Sequence, residues 1–179
     1  MAESRLRILT EAARLFRERG FDAVSVSEVM KAAGLTHGGF YGHFASKGEL
    51  IAETVGHVTK GNEDSLGFMA FADIYLSPLH RDASGQGCPM AALASDLRHQ
   101  SSEARGALAE GLELQLARVA AAMQRDSTEE IPSADLRRRA IGSWSAMVGA
   151  MIIARAVNDS ALSAELLTAT RDWIGELGA

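Results

Sequence analysis

Residues 25–50 read SVSEVMKAAGLTHGGFYGHFASKGEL, and the fold turns on this stretch. Ser25 precedes Glu28 by three positions, the spacing at which a hydroxyl and a carboxylate cap a helix reciprocally. Ser27 is an alternative cap, two residues on. A short helix through Val29, Met30, Ala32 and Ala33 then meets Gly34, which suits a helix stop. Leu35 anchors the turn, Thr36 can cap the next helix, and His37 to Phe44 make barely two helical turns. Ser46-Lys47-Gly48-Glu49 repeats the capping pattern and opens a helix carrying Leu50, Ile51, Thr54, Val55 and Val58. Upstream, Ile8, Leu9, Ala12, Leu15 and Phe16 recur at helical spacing, with Gly20 as the C-cap. Helix, short helix, glycine turn, short helix is a helix-turn-helix layout. The second helix of the pair can enter a DNA major groove while the first braces it. The small side chains of Ala32 and Ala33 permit the steep crossing.

Composition extends the helical assignment to the whole chain. Its 179 residues include 31 Ala and 19 Leu against 23 Val, Ile and Thr, a balance that favours helix. Apolar types make up 47%, enough to build a real core. The longest uncharged run, Ala140–Ala154, has fifteen residues, short of the ~20 that span a bilayer. No charged-then-apolar signal opens the chain, and a single cysteine leaves neither an internal disulfide nor a CxxC metal pair. A soluble, cytoplasmic protein with no membrane partner is expected. Net charge is −5, but residues 1–60 hold eight Lys/Arg against seven Asp/Glu, so the acidity lies in the rest. At +1, the first segment's charge alone says almost nothing about a polyanion partner.

Residues 5–53 resemble the DNA-binding domain of the TetR family of transcriptional regulators. The resemblance is carried by Ile8-Leu9, Ala12, Leu15-Phe16, Gly20-Phe21, Val29, Ala33-Gly34-Leu35, Phe40-Tyr41-Gly42-His43-Phe44 and Ser46-Lys47-Gly48-Glu49-Leu50. Gly42 departs from the bulkier or basic residue more usual there. The expected fold is all-α, with an N-terminal three-helix helix-turn-helix domain (1–46) and a C-terminal helical ligand-binding and dimerisation domain (47–179). The resemblance implies a regulator, most often a repressor, that leaves a palindromic operator when it meets a small-molecule or thiol-reactive effector. No cofactor and no metal are implied.

The residues themselves sharpen the DNA-contact set. Thr36 and His37 can supply hydrogen bonds to base edges, and Gly38 and Gly39 let backbone approach DNA at a cost of ~1 kcal/mol each in helix propensity. Lys47 stands in the first turn of a helix, where the macrodipole disfavours a cation unless a phosphate is shared there. By resemblance Tyr41 and His43 donate to phosphates, and Ser25 and Ser27 complete the set.

Beyond residue 60, helices are expected at Leu66–Ser77, Met90–His99, Ser102–Met123, Ser133–Val157 and Leu162–Leu177. Loops are expected at Pro78–Gly87, around Arg125–Pro132 and at Asn158–Ser160. The helix from Ser133 is apolar nearly all round, so one subunit cannot cover it and a second copy is expected. The resemblance places that homodimer interface on the last two helices, with candidates Ile141, Trp144, Val148, Ile152, Leu166, Trp173 and Ile174. Candidate effector-pocket residues are Tyr75, Cys88, Met90, Leu93, Leu97, Met123, Trp144, Met147 and Met151, though methionines at helical spacing are usually plain core. Cys88, beside Pro89 at a helix start, is either a small buried hydrophobe or a dipole-activated thiol; some members of the family sense reactive species through a cysteine. Against an enzyme, no GxSxG, HExxH, P-loop or GxGxxG occurs and no two histidines stand at i, i+4; a Cys88–His nucleophile remains as the enzymatic alternative. A helical scaffold without DNA binding is the third class.

Overall fold

The computed structural model describes residues 2–60 and 66–176, and these are all-helical. In chain order they form α1 (Ala2–Arg19), α2 (Val26–Ala32), a 3-10 turn (His37–Gly42), α3 (Lys47–Thr59), α4 (Phe68–Tyr75) and α5 (Pro78–Asp82). A second 3-10 turn (Ser84–Gln86) is followed by α6 (Pro89–Leu97), α7 (Ser102–Asp126), α8 (Ser133–Ala156) and α9 (Ser160–Glu176). Leu177, the expected end of the last helix, lies outside the described residues.

The helix ends follow their capping chemistry. Ser25 accepts the Glu28 N–H at 3.2 Å while its own N–H donates to the Glu28 carboxylate at 2.8 Å, a complete capping box. At the other end of α2, Leu35 N–H donates to Met30 carbonyl and Gly34 N–H to Lys31 carbonyl, at 2.8 and 3.0 Å. With Gly34 at φ +70°, this is a Schellman stop, and a side chain there would be strained. The second capping pattern is only half as expected. Ser46 Oγ accepts the Glu49 N–H at 3.1 Å, but the Glu49 carboxylate takes the Ala45 N–H instead of returning to the cap.

Two expectations are corrected here. Pro78–Gly87 is not a plain loop, because Pro78 occupies the first turn of α5 and Ser77 Oγ accepts the His80 N–H at 3.1 Å. The segment after the glycine turn is a six-residue 3-10 turn, not an α-helix of two turns, and Thr36 makes no side-chain capping bond. Two glycines that disfavour α-helix and the buried Phe40 and Phe44 account for the tighter winding.

The described residues fall into two compact units. The first combines residues up to 61 with 84–112; the second combines 62–83 with 113–179. The expected boundary after residue 46 therefore falls inside the first unit. The reason is packing: Leu50, Ile51 and Val55 of α3 share one core with Ile8, Phe16 and Met30, and Leu93 and Leu97 of α6 return to it. Each such side chain contributes roughly 1.5–3 kcal/mol by leaving water. Gly111 of α7 closes this unit against α3, since a Cβ there would come within 2.1 Å of Thr59 Cβ.

In the second unit α8 packs against α9. Ala140, Ser143, Trp144, Met147, Ala150, Met151 and Ala154 recur at three-and-four spacing and are buried, which makes them the inward face of α8. Arg155 fixes α5 by donating to the carbonyls of Arg81 and His80 at 2.9 and 2.8 Å. Ser163 of α9 donates to the Ala154 carbonyl at 2.7 Å.

Candidate nucleic-acid interface and ligand cavity

The 3-10 turn is a two-sided element. Phe40 is buried and stacks on Phe44 with ring centroids 5.7 Å apart, whereas the adjacent Tyr41 is 71% exposed. Thr36, His37, Gly38, Gly39 and Gly42 are, like Tyr41, on the open side, with Thr36 and the three glycines presenting little bulk. Arg5 secures the turn from below. Its guanidinium lies 4.3 Å from the Phe44 ring, donates to the His43 carbonyl and pairs with Glu53 of α3. Sequence patterns do not single out Arg5 for this; its only signal is a cation in the first turn of a helix, where the dipole opposes it.

The glycines of the turn have no internal explanation. None has a positive φ; a Cβ on Gly38 or Gly42 would meet nothing within 4 Å, and on Gly39 only ordinary contacts at 3.7 Å. Folding alone would admit alanine at all three.

The cations of this unit divide sharply. Arg14 pairs with Glu11 and Glu18, Arg19 with Glu28, and Arg17 donates to the Gly85 carbonyl at 2.8 Å. Lys47, half-buried at the first position of α3, and Lys31, exposed near the end of α2, make no ion pair among the described residues. Ser25 has its hydroxyl engaged by Glu28, while Ser27 stands exposed on the same helix. Hydrogen bonds from the Ser25 backbone and hydroxyl, then from Arg19, hold the Glu28 carboxyl down to about 2. Ala32, expected at the helix crossing, is exposed; Ala33 alone is buried there.

The nine expected pocket residues do not gather in one place. Cys88, Met90, Leu93 and Leu97 belong to the first unit, and Leu93 and Leu97 are part of its core. Tyr75 and Trp144 do meet, edge to face at 5.2 Å, with Phe71 stacked on Trp144 at 6.2 Å and His80 at 4.6 Å from Tyr75. Met147 and Met151 continue that buried face. Met123 alone lines the cavity of about 270 Å³ in the second unit, whose walls include Phe68, Met69, Arg139, Ser143 and Ile174. Those five escape sequence reading as pocket residues because they come from separate helices and form no local pattern.

The expected interface residues split by face. Ile141, Ile152 and Trp173 are exposed, at 43%, 44% and 49%. Val148 and Leu166 are half-buried. Trp144 and Ile174 are corrected: they are 5% and 1% exposed, turned into their own unit. The outer stripes follow one rule on both helices, Ile141-Ser145-Val148-Ile152 on α8 and Leu162-Leu166-Ala169-Trp173 on α9, each spaced i, i+4, i+7, i+11.

The family model of bacterial regulatory proteins of the TetR family matches residues 8–54, and that of the tetracyclin repressor-like C-terminal domain matches 68–170. The chain belongs to the TetR family. Within that family it is 45% identical over 51 residues to the HTH-type transcriptional regulator AcrR of Shigella flexneri, covering 28% of this chain and 24% of AcrR. It is 47% identical over 53 residues to the HTH-type regulator YdgC of Bacillus subtilis, covering 30% and 27%. The chain thus spans about a quarter of the length of these two relatives. Along nearly its whole length it is similar to the HTH-type transcriptional regulator Rv0196 of Mycobacterium tuberculosis, 28% identical over 176 residues and covering 89% and 88%. Among solved TetR-like folds, the reduced form of Escherichia coli NemR superposes with a TM-score of 0.76 at 19% identity, over 97% of this chain and 96% of that one.

Proposed function

We propose that this TetR-family chain is a DNA-binding transcriptional regulator, a repressor that acts as a homodimer on a palindromic operator and leaves it when a small molecule binds. The 3-10 turn carries the proposal. Its underside is fixed by Phe40, Phe44 and Arg5, and its outer side offers hydrogen-bond donors among three glycines that folding does not require. A duplex pressed against bare backbone supplies the missing reason for those glycines. Thr36, His37, Gly38 and Gly39 face base edges, while Tyr41, His43 and Lys47 meet phosphates, with Ser27 and, through its backbone, Ser25 behind them.

The apolar stripes of α8 and α9 support the homodimer, since Ile, Leu and Trp in such a row are more stable against a second copy than against water. A small molecule is favoured over a thiol-reactive effector, because Cys88 is only 9% exposed and the second unit holds a cavity. The chain is read as a regulator and not an enzyme, working in the cytoplasm where bacterial DNA lies. No helix among the described residues is long and apolar enough to cross a membrane.

Selection of bound duplexes from a randomised pool at low salt tests the proposal. Enrichment of a palindrome with half-sites in register is the expected result; a pool that stays random overturns it. On the selected duplex, Lys47→Ala lowers the slope of log K against log salt by about one, whatever the sequence.

A further inference from the structure

The cavity of the second unit has a chemistry of its own. Its walls are apolar where Phe68, Met69, Met123 and Ile174 line it, and it opens beside Arg139 of α8. Arg139 ends a run of three arginines. Arg137 pairs with Glu113 at 2.8 Å and Arg138 with Asp135 at 2.9 Å, but Arg139 makes no ion pair among the described residues. One turn further along the same face, Ser143 lines the cavity at 2% exposure, and its hydroxyl makes no hydrogen bond to another described residue. Among the described residues, a cation without an ion pair and a hydroxyl without a hydrogen bond thus border one apolar space.

The one carboxylate in the lining is already committed. Asp126 accepts the Met69 N–H at 3.0 Å, at the N-terminus of α4, where the unpaired N–H groups of a helix favour an anion. Gly67 makes that approach possible, because a Cβ there would lie 2.0 Å from Asp126 Oδ1. Asp126 therefore closes one end of the cavity as a helix cap, which leaves Arg139 as the charged side chain of the lining that has no hydrogen bond or ion pair to a described residue.

We propose that this cavity binds a small carboxylate with an apolar body, its oxygens paired with Arg139 and accepting from Ser143 Oγ. At about 270 Å³ it exceeds the roughly 150 Å³ that suffices for benzene, so a ring with a short acid-bearing chain fits. Met69 and Met123 adapt to the body, and Arg139 provides a planar fork for the acid. By helical spacing Arg139 lies on the other flank of α8 from Ile141, Val148 and Ile152, so a second copy on that stripe leaves the cavity mouth clear. The inference rests on the proposed effector role and names its ligand class.

Titration calorimetry on the full chain with three probes of one shape tests it: 3-phenylpropanoate, 3-phenylpropanamide and 3-phenylpropylamine. The carboxylate binds, and the amide binds about tenfold more weakly or worse. Arg139→Gln, a change at an exposed side chain, weakens the carboxylate by a similar factor and leaves the amide unaffected; Ser143→Ala weakens the carboxylate less. Equal binding of acid and amide, an Arg139→Gln protein that still prefers the acid, or no binding of any probe overturns the site. Preference for the amine overturns it too, making Asp126 the selector. If the carboxylate binds with this selectivity but the affinity for the selected duplex does not change, the site stands and the effector role fails.

Discussion

The two units solve the same problem, a helix with two faces, in opposite ways. In the first, the outward side of the 3-10 turn is polar or bare: Thr36, His37, Gly38, Gly39 and Tyr41. In the second, the outward sides of α8 and α9 are apolar: Ile141, Ile152, Leu162 and Trp173. Each rests on buried aromatics, Phe40 and Phe44 in one and Trp144 in the other. The inner faces are alike because both exclude water; the outer faces differ as the proposed partners would require, a hydrated polyanion on one and a second copy of the chain on the other. An exposed glycine and an exposed tryptophan are both costly in a lone chain, and each points to its own kind of partner.

The contrast is most vulnerable at the inner faces. Phe40→Ala and Trp144→Ala each cost about 3–5 kcal/mol in urea unfolding, because both leave cavities that cannot collapse. A loss below about 1 kcal/mol at either site would mean that its inner face is not sealed. At the outer faces, Trp173→Glu leaves the helical circular dichroism intact and shifts the protein from dimer to monomer in sedimentation. A dimer that persists would remove α9 from the interface. Gly38→Ala separates folding from function most cleanly: it raises unfolding free energy by about 0.4–1 kcal/mol, since its backbone conformation admits alanine, yet weakens binding to the selected duplex. Unchanged binding would take the close-approach role from Gly38.

The smallest effects are electrostatic. Burial is the main cause that holds the His80 imidazole below its ordinary 6.5, against the hydrogen bond to the Tyr75 carbonyl and with help from Arg155. The unfolded chain therefore takes up the proton first. His80's contribution to stability is complete above pH 6.5 and declines as pH falls below it. The melting temperature accordingly drops between about pH 7.5 and 5.5, and His80→Gln removes part of the drop. In the first unit the sign is the same but the window lies lower: Glu28, held at about 2 against an ordinary 4.5, keeps its capping contribution until pH falls below 4.5 and loses it toward 2. Ser25→Ala moves that loss to higher pH.

The features legible from residues in order were local. The stop at Gly20, the capping box at Ser25 and Glu28, the turn at Gly34 and the start of α6 at Pro89 depend on neighbours three or four positions apart, and all four lie where spacing put them. The assignment of faces on α8 was legible only in part. Its sequence is apolar on nearly every side, so periodicity names the helix and cannot say which stripe turns inward. Trp144 and Ile174 were misplaced for that reason, as their burial depends on Phe71 and Tyr75 or on the cavity wall.

An all-helical TetR-type chain with a helix-turn-helix layout around Gly34 was written in the order of the residues, because capping, glycine stops and helical spacing act over one or two turns; the 3-10 winding of residues 37–42 was not. Folding in three dimensions was needed to put α6 into the core of the first unit, Arg5 beneath the turn, and Arg139, Ser143 and Met123 around one cavity. Most of those groupings join residues dozens of positions apart. They are fixed by which apolar faces find each other on folding, and no local spacing records that choice.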